Sequence, residues 1–312
     1  MAKNKSKALG RRQRLVIDRG VRWAVQIAFF VAFPAVFSAA FNGVKYAFTQ
    51  IGAMQPVSLS AFVTTLLAVL AFTVVFGRFF CGYACAFGTL GDALFTVFTP
   101  VRKKLGIGKK KPLLPAGMQR ALQLLKYVVL AVICVLCFAG MWSSVSGYSP
   151  WTAFAGIVAG NVDGISVGAF VALGVVAVGM LFVERFFCQF LCPLGAVFSL
   201  LPVLPFSAFH RDVTRCAKGC GLCKRSCPVS VSPDPDAFAA GECISCGRCA
   251  DGCPLGNVTL LRVPKPAGRE GLARDSSAKK PAGKPPMSLR GTEILLVLAK
   301  AAALFALCRM FM

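Results

Sequence analysis

Histidine is almost absent from this chain, since His210 is the single one in 312 residues. A haem held by two histidines cannot be built from one, which excludes the usual chemistry of membrane b-type cytochromes. The sequence also lacks a Gly-x-Gly-x-x-Gly dinucleotide loop, a Walker loop, a nucleophile elbow and a zinc-peptidase motif. These absences leave no catalytic residue and no substrate pocket to predict from sequence.

Acidic residues are scarce as well, because 12 Asp and Glu stand against 35 Lys and Arg, for a net charge of +23. In a soluble protein this excess would indicate a nucleic-acid partner. Here, however, 56% of the residues are hydrophobic and only 15% are charged, and the basic residues border the apolar stretches. The predicted partner of the basic residues is therefore anionic membrane lipid and not nucleic acid.

Apolar stretches long enough to cross a bilayer predict an α-helical polytopic membrane domain over 23–205, preceded by a basic tail over 1–22. Asp18 and Arg19 interrupt the pattern of an export signal, which favours an uncleaved first helix. The tail and the segment between the second and third spans are both basic, which places both ends of this unit in the cytoplasm. The predicted spans are about 23–43, 58–80, 121–142 and 165–187.

Eight of the fifteen cysteines form two runs that each end in Cys-Pro. This is the spacing of bacterial ferredoxins with two [4Fe–4S] clusters, in which the Cys-Pro cysteine ligates the other run's cluster. Cys-x-x-Cys pairs also build zinc sites, but two triads that each end in Cys-Pro favour clusters. The first predicted ligand set is Cys216, Cys220, Cys223 and Cys253, and the second is Cys243, Cys246, Cys249 and Cys227.

These runs predict a small ferredoxin-like α+β module over 206–262, which is cytoplasmic because it follows the fourth span. The thiols indicate a reducing compartment and not a disulfide framework. After the module, 263–291 is rich in Pro, Gly, Ala and Lys and predicts a flexible basic linker. The apolar stretch 292–312 predicts a helix that either crosses the membrane as a fifth span or lies at its interface.

An internal repeat closes the second and fourth spans. Both 78–88 and 185–195 read Arg-Phe-Phe-Cys, then three residues, a second Cys and a Gly three residues after that. Two helical hairpins related by an axis along the membrane normal are therefore expected, as a parallel repeat. In a helix, cysteines four apart share one face, so two such pairs can assemble a four-thiolate site. Its predicted members are Cys81, Cys85, Cys188 and Cys192.

What this second site binds stays open between a metal, a third iron–sulfur centre and a dithiol/disulfide couple. The alternative is that these cysteines pack as small apolar residues, which is the role predicted for Cys134, Cys137 and Cys308. Ionisable residues near a membrane edge are often functional. Asp92 and Glu184 are such candidates, although Glu184 beside Arg185 is equally explained as an interfacial ion pair.

The order of these motifs resembles the NapH/NosR-type membrane polyferredoxins, over about residues 20–260. The family includes the membrane subunit of quinol dehydrogenases that serve periplasmic nitrate reduction. It usually carries Cys-Pro at the end of each membrane element, which Cys192 matches, whereas Ala86 follows Cys85. The resemblance implies two cytoplasmic clusters that exchange electrons between the quinone pool and a partner redox subunit.

The leading hypothesis is thus a membrane-bound electron-transfer protein that links quinone to a partner reductase system in anaerobic respiration. In one alternative, a cytoplasmic donor drives electron export to an extracytoplasmic reductase or flavoprotein. In another, the protein is a redox sensor or a maturation factor for a partner enzyme. The Arg-Phe-Phe sequences frame a quinone or lipid headgroup, or serve as interfacial anchors. His210 is either structural or a proton acceptor at a quinone site.

Overall fold

The computed structural model describes residues 2–106, 116–202, 204, 209–211, 216, 220–231, 241–253, 258–259 and 289–311. This part of the chain is mostly helical, and most of the predicted linker lies outside it. The longer helices are α1 Ala2–Ala32, α2 Val36–Gly52, α3 Ala61–Phe76, α4 Ala86–Lys104, α5 Ala116–Phe138, α7 Pro150–Ala159, α8 Val167–Phe182, α10 Pro193–Leu200 and α13 Leu289–Phe311. The shorter elements are α6 Trp142–Ser146, α9 Phe186–Phe190, α11 Leu222–Ser226, α12 Arg248–Gly252, β1 His210–Arg211 and β2 Val258–Thr259.

The first predicted span is divided in the structure. One straight helix was expected over 23–43, but α1 ends at Ala32 and α2 begins at Val36, with a bend of 62° between them. Pro34 lies in the break, where it has no N–H to donate and its ring opposes a continuous helix. Helix α1 also runs through the predicted basic tail, from Ala2.

The second and fourth predicted spans are shorter than expected. Helices α3 and α8 have 16 residues each, whereas a straight helix needs about 20 residues to cross the hydrocarbon core. Within the described ranges, two helical segments are long and apolar enough to cross a membrane, Met118–Phe138 and Ile294–Phe311. The bent α1–α2 pair makes a third if it counts as one span. By length and composition the chain is a membrane protein with two or three candidate spans, and the four-span arrangement stays a prediction.

Helix α13 packs along α1 and α3 and does not stand apart from the other helices. The ring of Phe305 lies 5.9 Å from that of Phe29 and 4.9 Å from that of Phe33. Lys300 is buried on the same helix, with its ammonium 5.6 Å from the ring of Phe76. The C-terminal helix thus belongs to the helical core formed by α1 and α3.

Aromatic side chains join the two copies of the internal repeat. Phe87, which follows the first Cys pair, stacks on Phe187 of the second copy at 4.8 Å between ring centroids. Phe37 of α2 and Phe154 of α7 lie against Phe87 at 5.0 and 4.4 Å. All four rings are buried. The core therefore lies between the two motifs and fixes them relative to each other.

The ferredoxin-like segment contains a two-stranded antiparallel sheet in which His210 pairs with Thr259 and Arg211 with Val258. Two five-residue helices, α11 and α12, pack against each other beside it. This arrangement agrees with the α+β module expected from the cysteine runs. Its loops lie directly on the repeat motifs, which determines the geometry of the candidate site.

Candidate functional site

The two Arg-Phe-Phe-Cys motifs have matching local structure. Each follows a 16-residue apolar helix, and each has its first cysteine on a five-residue helical turn, which is a π-helical turn at Phe80–Ala84 and α9 in the second copy. The second cysteine then lies at the N-cap of the next helix in extended conformation, with φ −70°, ψ 121° at Cys85 and φ −71°, ψ 110° at Cys192.

The four-residue spacing predicted that the cysteines of each pair share one helical face. They do not, because the second cysteine lies outside the helical turn of the first. Proline disfavours helical backbone in the residue before it, which explains the extended Cys192 before Pro193. In the first copy, Cys85 takes the same conformation before Ala86. The two thiols of each pair are instead brought near one another by the break between two helices.

The four membrane thiols lie together in the core, with 5–8% of each residue exposed. Burial raises the pKa of Cys85, and the nearby Cys188 and Cys81 raise it further. Burial likewise raises the pKa of Cys192 well above its usual range, with added repulsion from the other three thiols. The Sγ of Cys192 also accepts a hydrogen bond from the Gly195 amide at 3.1 Å.

Within the described ranges, no three His, Cys, Asp or Glu side chains stand close enough to hold one metal ion as they are. A cubane cluster binds each thiolate through a different iron atom, so its ligands stand farther apart than those around a single ion. Iron also deprotonates a coordinating thiol outright, which would overcome the raised pKa of the free thiols. Four buried neighbouring thiols thus suit an iron–sulfur centre better than a mononuclear site.

Arg185 crosses from the second motif to the first. It is 2% exposed, and its guanidinium donates to the carbonyl of Cys81 and to that of Gly82 at 3.1 Å. Its Nε and Nη2 bind the two carboxylate oxygens of Asp92 at 2.8 and 2.6 Å. A side chain at Gly88 would collide with this guanidinium. Asp92 is therefore the partner of Arg185, and Glu184 is not.

Arg78 makes the reciprocal crossing, from the first motif to the second. It is 1% exposed, its Nη2 lies 3.1 Å from where a Cβ at Gly195 would be, and it interacts electrostatically with Cys81 and Cys192. The position matching Asp92, seven residues after the second cysteine, is Ser199 in this copy. The second copy thus has no acid of its own at the place where the first has Asp92.

Glu242 of the ferredoxin segment provides the missing carboxylate. It binds Arg78 at 3.2 Å and the buried Lys126 of α5 at 2.5 and 2.6 Å. The Tyr127 hydroxyl donates to it at 3.1 Å and lies 2.8 Å from the Ser199 hydroxyl. A residue next to Cys243 therefore supplies the counter-charge that Arg78 and Lys126 share.

The structure brings together the second predicted ligand set of the ferredoxin segment. The Cys249 thiol interacts electrostatically with Cys243, Cys246 and Cys227, and burial raises the pKa of Cys227 to about 12. For the first set, Cys223 lies in a small apolar cluster with Phe209, Val258 and Cys249, and Cys253 packs against that cluster. Cys216 and Cys220 are half-buried.

The ferredoxin loop and the first membrane motif are in direct contact. A Cβ at Gly82 would collide with the carbonyl oxygen of Ile244, so only glycine allows this approach. Arg22 of α1 donates to the carbonyl of Cys246, and Arg185 interacts electrostatically with both Cys188 and Cys246. The two groups of thiols are therefore neighbours that share one buried guanidinium.

Sequence reasoning missed a likeness between the membrane and ferredoxin cysteines. Five pairs have the spacing Cys-x-x-x-Cys, and four of them have the first cysteine in a five-residue helical turn. In these four the second cysteine is extended, with ψ between 110° and 122°. The common spacing was the available signal. The four are Cys81 and Cys85, Cys188 and Cys192, Cys223 and Cys227, and Cys249 and Cys253, and the residues between Cys216 and Cys220 lie outside the described ranges.

The remaining cysteines agree with the packing role predicted for them. Cys137 and Cys308 are buried in the main apolar core, and Cys134 is half-buried on α5. Glu184 pairs with Arg248 of α12 and so connects the second motif to the ferredoxin segment. His210 lies on β1.

A family described as a 4Fe-4S binding domain matches residues 59–108 and 166–205. These segments contain the four membrane cysteines, so the match falls on the repeat and not on the two ferredoxin runs. The chain is an iron–sulfur electron-transfer protein. No solved structure matches it.

Among known proteins, an uncharacterized protein of Methanocaldococcus jannaschii is 29% identical over 213 residues, which cover 68% of this chain and 75% of that one. The ferredoxin-type protein NapH of Haemophilus influenzae is 28% identical over 198 residues, 59% and 62% of the two chains. The regulatory protein NosR of Pseudomonas aeruginosa is 27% identical over 182 residues, 56% of this chain but 24% of NosR. The chain is thus similar, at modest identity, to NapH/NosR-type membrane ferredoxins.

Proposed function

We propose that this protein exchanges electrons between the membrane quinone pool and a partner reductase system in anaerobic respiration. The observation that carries the proposal is the contact between the two groups of thiols. Gly82, between Cys81 and Cys85, touches the backbone of Ile244, between Cys243 and Cys246. Redox centres held by these cysteines would be adjacent, which is the requirement for passing electrons between membrane and ferredoxin segments.

The proposed cofactors are two [4Fe–4S] clusters on the eight ferredoxin cysteines and a third iron–sulfur centre on the four membrane cysteines. Such clusters supply one-electron oxidation and reduction, with potentials set by nearby charge, hydrogen bonds and exposure. The chain's own residues hold the thiolates and compensate their charge. Arg78 and Arg185 are the buried cations next to the membrane thiols.

The ferredoxin segment and the N-terminal part of α1 are proposed to face the cytoplasm. The basic residues at the start of α1 and around Arg102 support this orientation, since positive residues flank spans on the cytoplasmic side. The partner is proposed to be a redox subunit or terminal reductase that docks on the half-buried cysteines of the ferredoxin segment.

The test is an anaerobic redox titration of the purified full-length protein, followed by electron paramagnetic resonance, and then mixing with a reduced quinol. A third signal beyond two [4Fe–4S] centres, and reduction of the clusters by quinol, are the expected results. If quinol leaves all the clusters oxidised while a low-potential donor reduces them, the proposed exchange with quinone is wrong and a cytoplasmic donor takes its place.

Glu242→Gln is expected to raise the potential of the centre that Cys243 ligates. The change removes a negative charge and leaves Arg78 and Lys126 uncompensated, and a more positive surrounding favours the reduced cluster. We expect a shift on the order of tens of millivolts. Tyr127→Phe is the matched control, because it removes a hydrogen bond to the same carboxylate without changing charge. Equal potentials in the two variants would contradict the role of Glu242.

A further inference from the structure

A cavity of about 640 Å³ lies between the start of the membrane region and the ferredoxin segment. Its walls come from α1, from the middle of α4, from Glu184 and from α11 and α12. The volume is within the range of about 300–1,000 Å³ that is typical of small-molecule sites. The sequence predicted no pocket, because these walls come from segments far apart in the chain.

Two buried polar side chains of α1 line this cavity, and each carries one hydrogen-bonding atom without a partner among the described residues. Gln26 is 1% exposed, and its amide nitrogen donates to the Gly82 carbonyl at 3.1 Å and to Asp92 at 2.9 Å. Because both neighbours are acceptors, the nitrogen must face them, and the amide oxygen is left without a partner among the described residues. Arg22 is 6% exposed, and its Nε is likewise without a hydrogen-bond acceptor there.

The unpartnered Gln26 oxygen can accept a hydrogen bond, and the unpartnered Arg22 Nε can donate one. This pair fits a ligand whose oxygens are hydroxyl donors when it is reduced and carbonyl acceptors when it is oxidised. The indole of Trp23 and the ring of Phe95 also line the cavity and favour a flat aromatic ring. Two of the three arginines of the lining have acidic partners, since Glu184 pairs with Arg248 and Asp251 lies 3.7 Å from Arg22, and Arg19 is the third. The lining therefore carries one net positive charge, a weak attraction for an anionic headgroup, while its aromatic side chains favour a ring.

We propose that this cavity binds the ring of a quinone or hydroquinone, with Gln26 Oε1 accepting from a ring hydroxyl and Arg22 Nε donating to a ring oxygen. This inference rests on the proposed function and names the site for it. The site adjoins both groups of thiols. Arg22 donates to the carbonyl of Cys246, and Gln26 donates to that of Gly82 beside Cys81.

Trp23 allows binding to be measured directly. The chain has three tryptophans, and Trp142 and Trp151 do not line the cavity. Full-length protein carrying Trp142→Phe and Trp151→Phe, checked for intact fold by circular dichroism, would be titrated with menadione while Trp23 fluorescence is followed. We expect saturable quenching.

Two variants in this background test the site. Gln26→Leu removes the acceptor, and Thr96→Phe fills the cavity from α4, so both should weaken binding at least about tenfold. Gln50→Leu is the control, because it makes the same Gln-to-Leu change on α2, away from the cavity. Its affinity for menadione should equal that of the Trp142→Phe, Trp151→Phe protein. Quenching that is linear in menadione and equal in all variants would overturn the site. So would saturation by phosphatidylglycerol vesicles that menadione does not displace.

The failure of the site can be told apart from the failure of the proposed function. The same samples, without the fluorescence changes, would be mixed with reduced menadiol while the visible absorption of the clusters is followed. If menadiol bleaches the clusters equally in Gln26→Leu and Thr96→Phe, the function stands and this site is wrong. If menadione binds as expected but menadiol never bleaches the clusters, the site stands and the proposed function is wrong.

Discussion

Cys85→Ser is expected to remove one centre from the protein and to leave the two ferredoxin clusters in place. Iron should fall from about twelve to about eight atoms per chain if the four membrane cysteines hold a third cubane cluster. The rate of electron transfer from quinol to the partner should fall by at least about 100-fold. Replacing a residue that only hydrogen-bonds to a metal ligand already lowers activity by about 10–100-fold, and Cys85 would be a ligand itself. Iron analysis, electron paramagnetic resonance and quinol-dependent turnover measure the three quantities.

Cys137→Ser is the matched control for this change. Cys137 is also buried in the apolar core, at 0% exposure, so serine introduces the same hydroxyl into a similar environment. Iron content and turnover should be unchanged in this variant. If Cys85→Ser behaves like Cys137→Ser, the membrane cysteines are packing residues and carry no electrons.

Asp92→Asn is expected to cost about 3–5 kcal/mol of stability, because it leaves the buried guanidinium of Arg185 without a counter-charge. Both side chains of the pair are almost fully buried, at 1% and 3% exposure, and Gln26 donates to the same carboxylate. The surrounding guanidinium is the main reason that the pKa of Asp92 stays below its usual value, although burial alone would raise it. The measurement is denaturant-induced unfolding of the full chain in detergent.

Asp163→Asn provides the comparison for that measurement. Asp163 lies in an exposed turn, so the same chemical change there should leave the free energy of unfolding within about 0.5 kcal/mol of the starting value. An Asp92→Asn protein as stable as Asp163→Asn would show that the Arg185 pair contributes nothing to the fold.

Much of the candidate site could be predicted from the sequence because its signals are local. The Arg-Phe-Phe-Cys repeat predicted two related elements and the residues that meet between them. The bends and the ends of the helices were harder to predict from the sequence. Pro34 indicated a possible break in the first span but not the angle of the bend. Helix α3 ends at Phe76, because the φ of 71° at Gly77 does not continue a helix.

The partners of the buried arginines were beyond sequence reasoning. Asp92 and Arg185 are 93 positions apart, and Arg78 and Glu242 are 164 apart. Which acid meets which arginine depends on how the two motifs cross and on where the ferredoxin loop docks. Glu184, adjacent to Arg185 in sequence, pairs with Arg248 instead. Adjacency along the chain was therefore a poor guide to ion pairing in this core.

The position of the Glu242 carboxylate has a consequence for how the ferredoxin segment assembles with the helices around Arg78 and Lys126. The counter-charge of Lys126 and Arg78 comes from Glu242. This residue follows the predicted membrane domain in the chain and directly precedes Cys243. Until the ferredoxin segment has folded and docked, both cations remain without that counter-charge in a region closed to water. Docking of the ferredoxin segment and neutralisation of these buried cations are thus one event. A chain in which that segment is detached would keep two positive charges in an apolar core, so the helices around them depend on the ferredoxin segment for their stability.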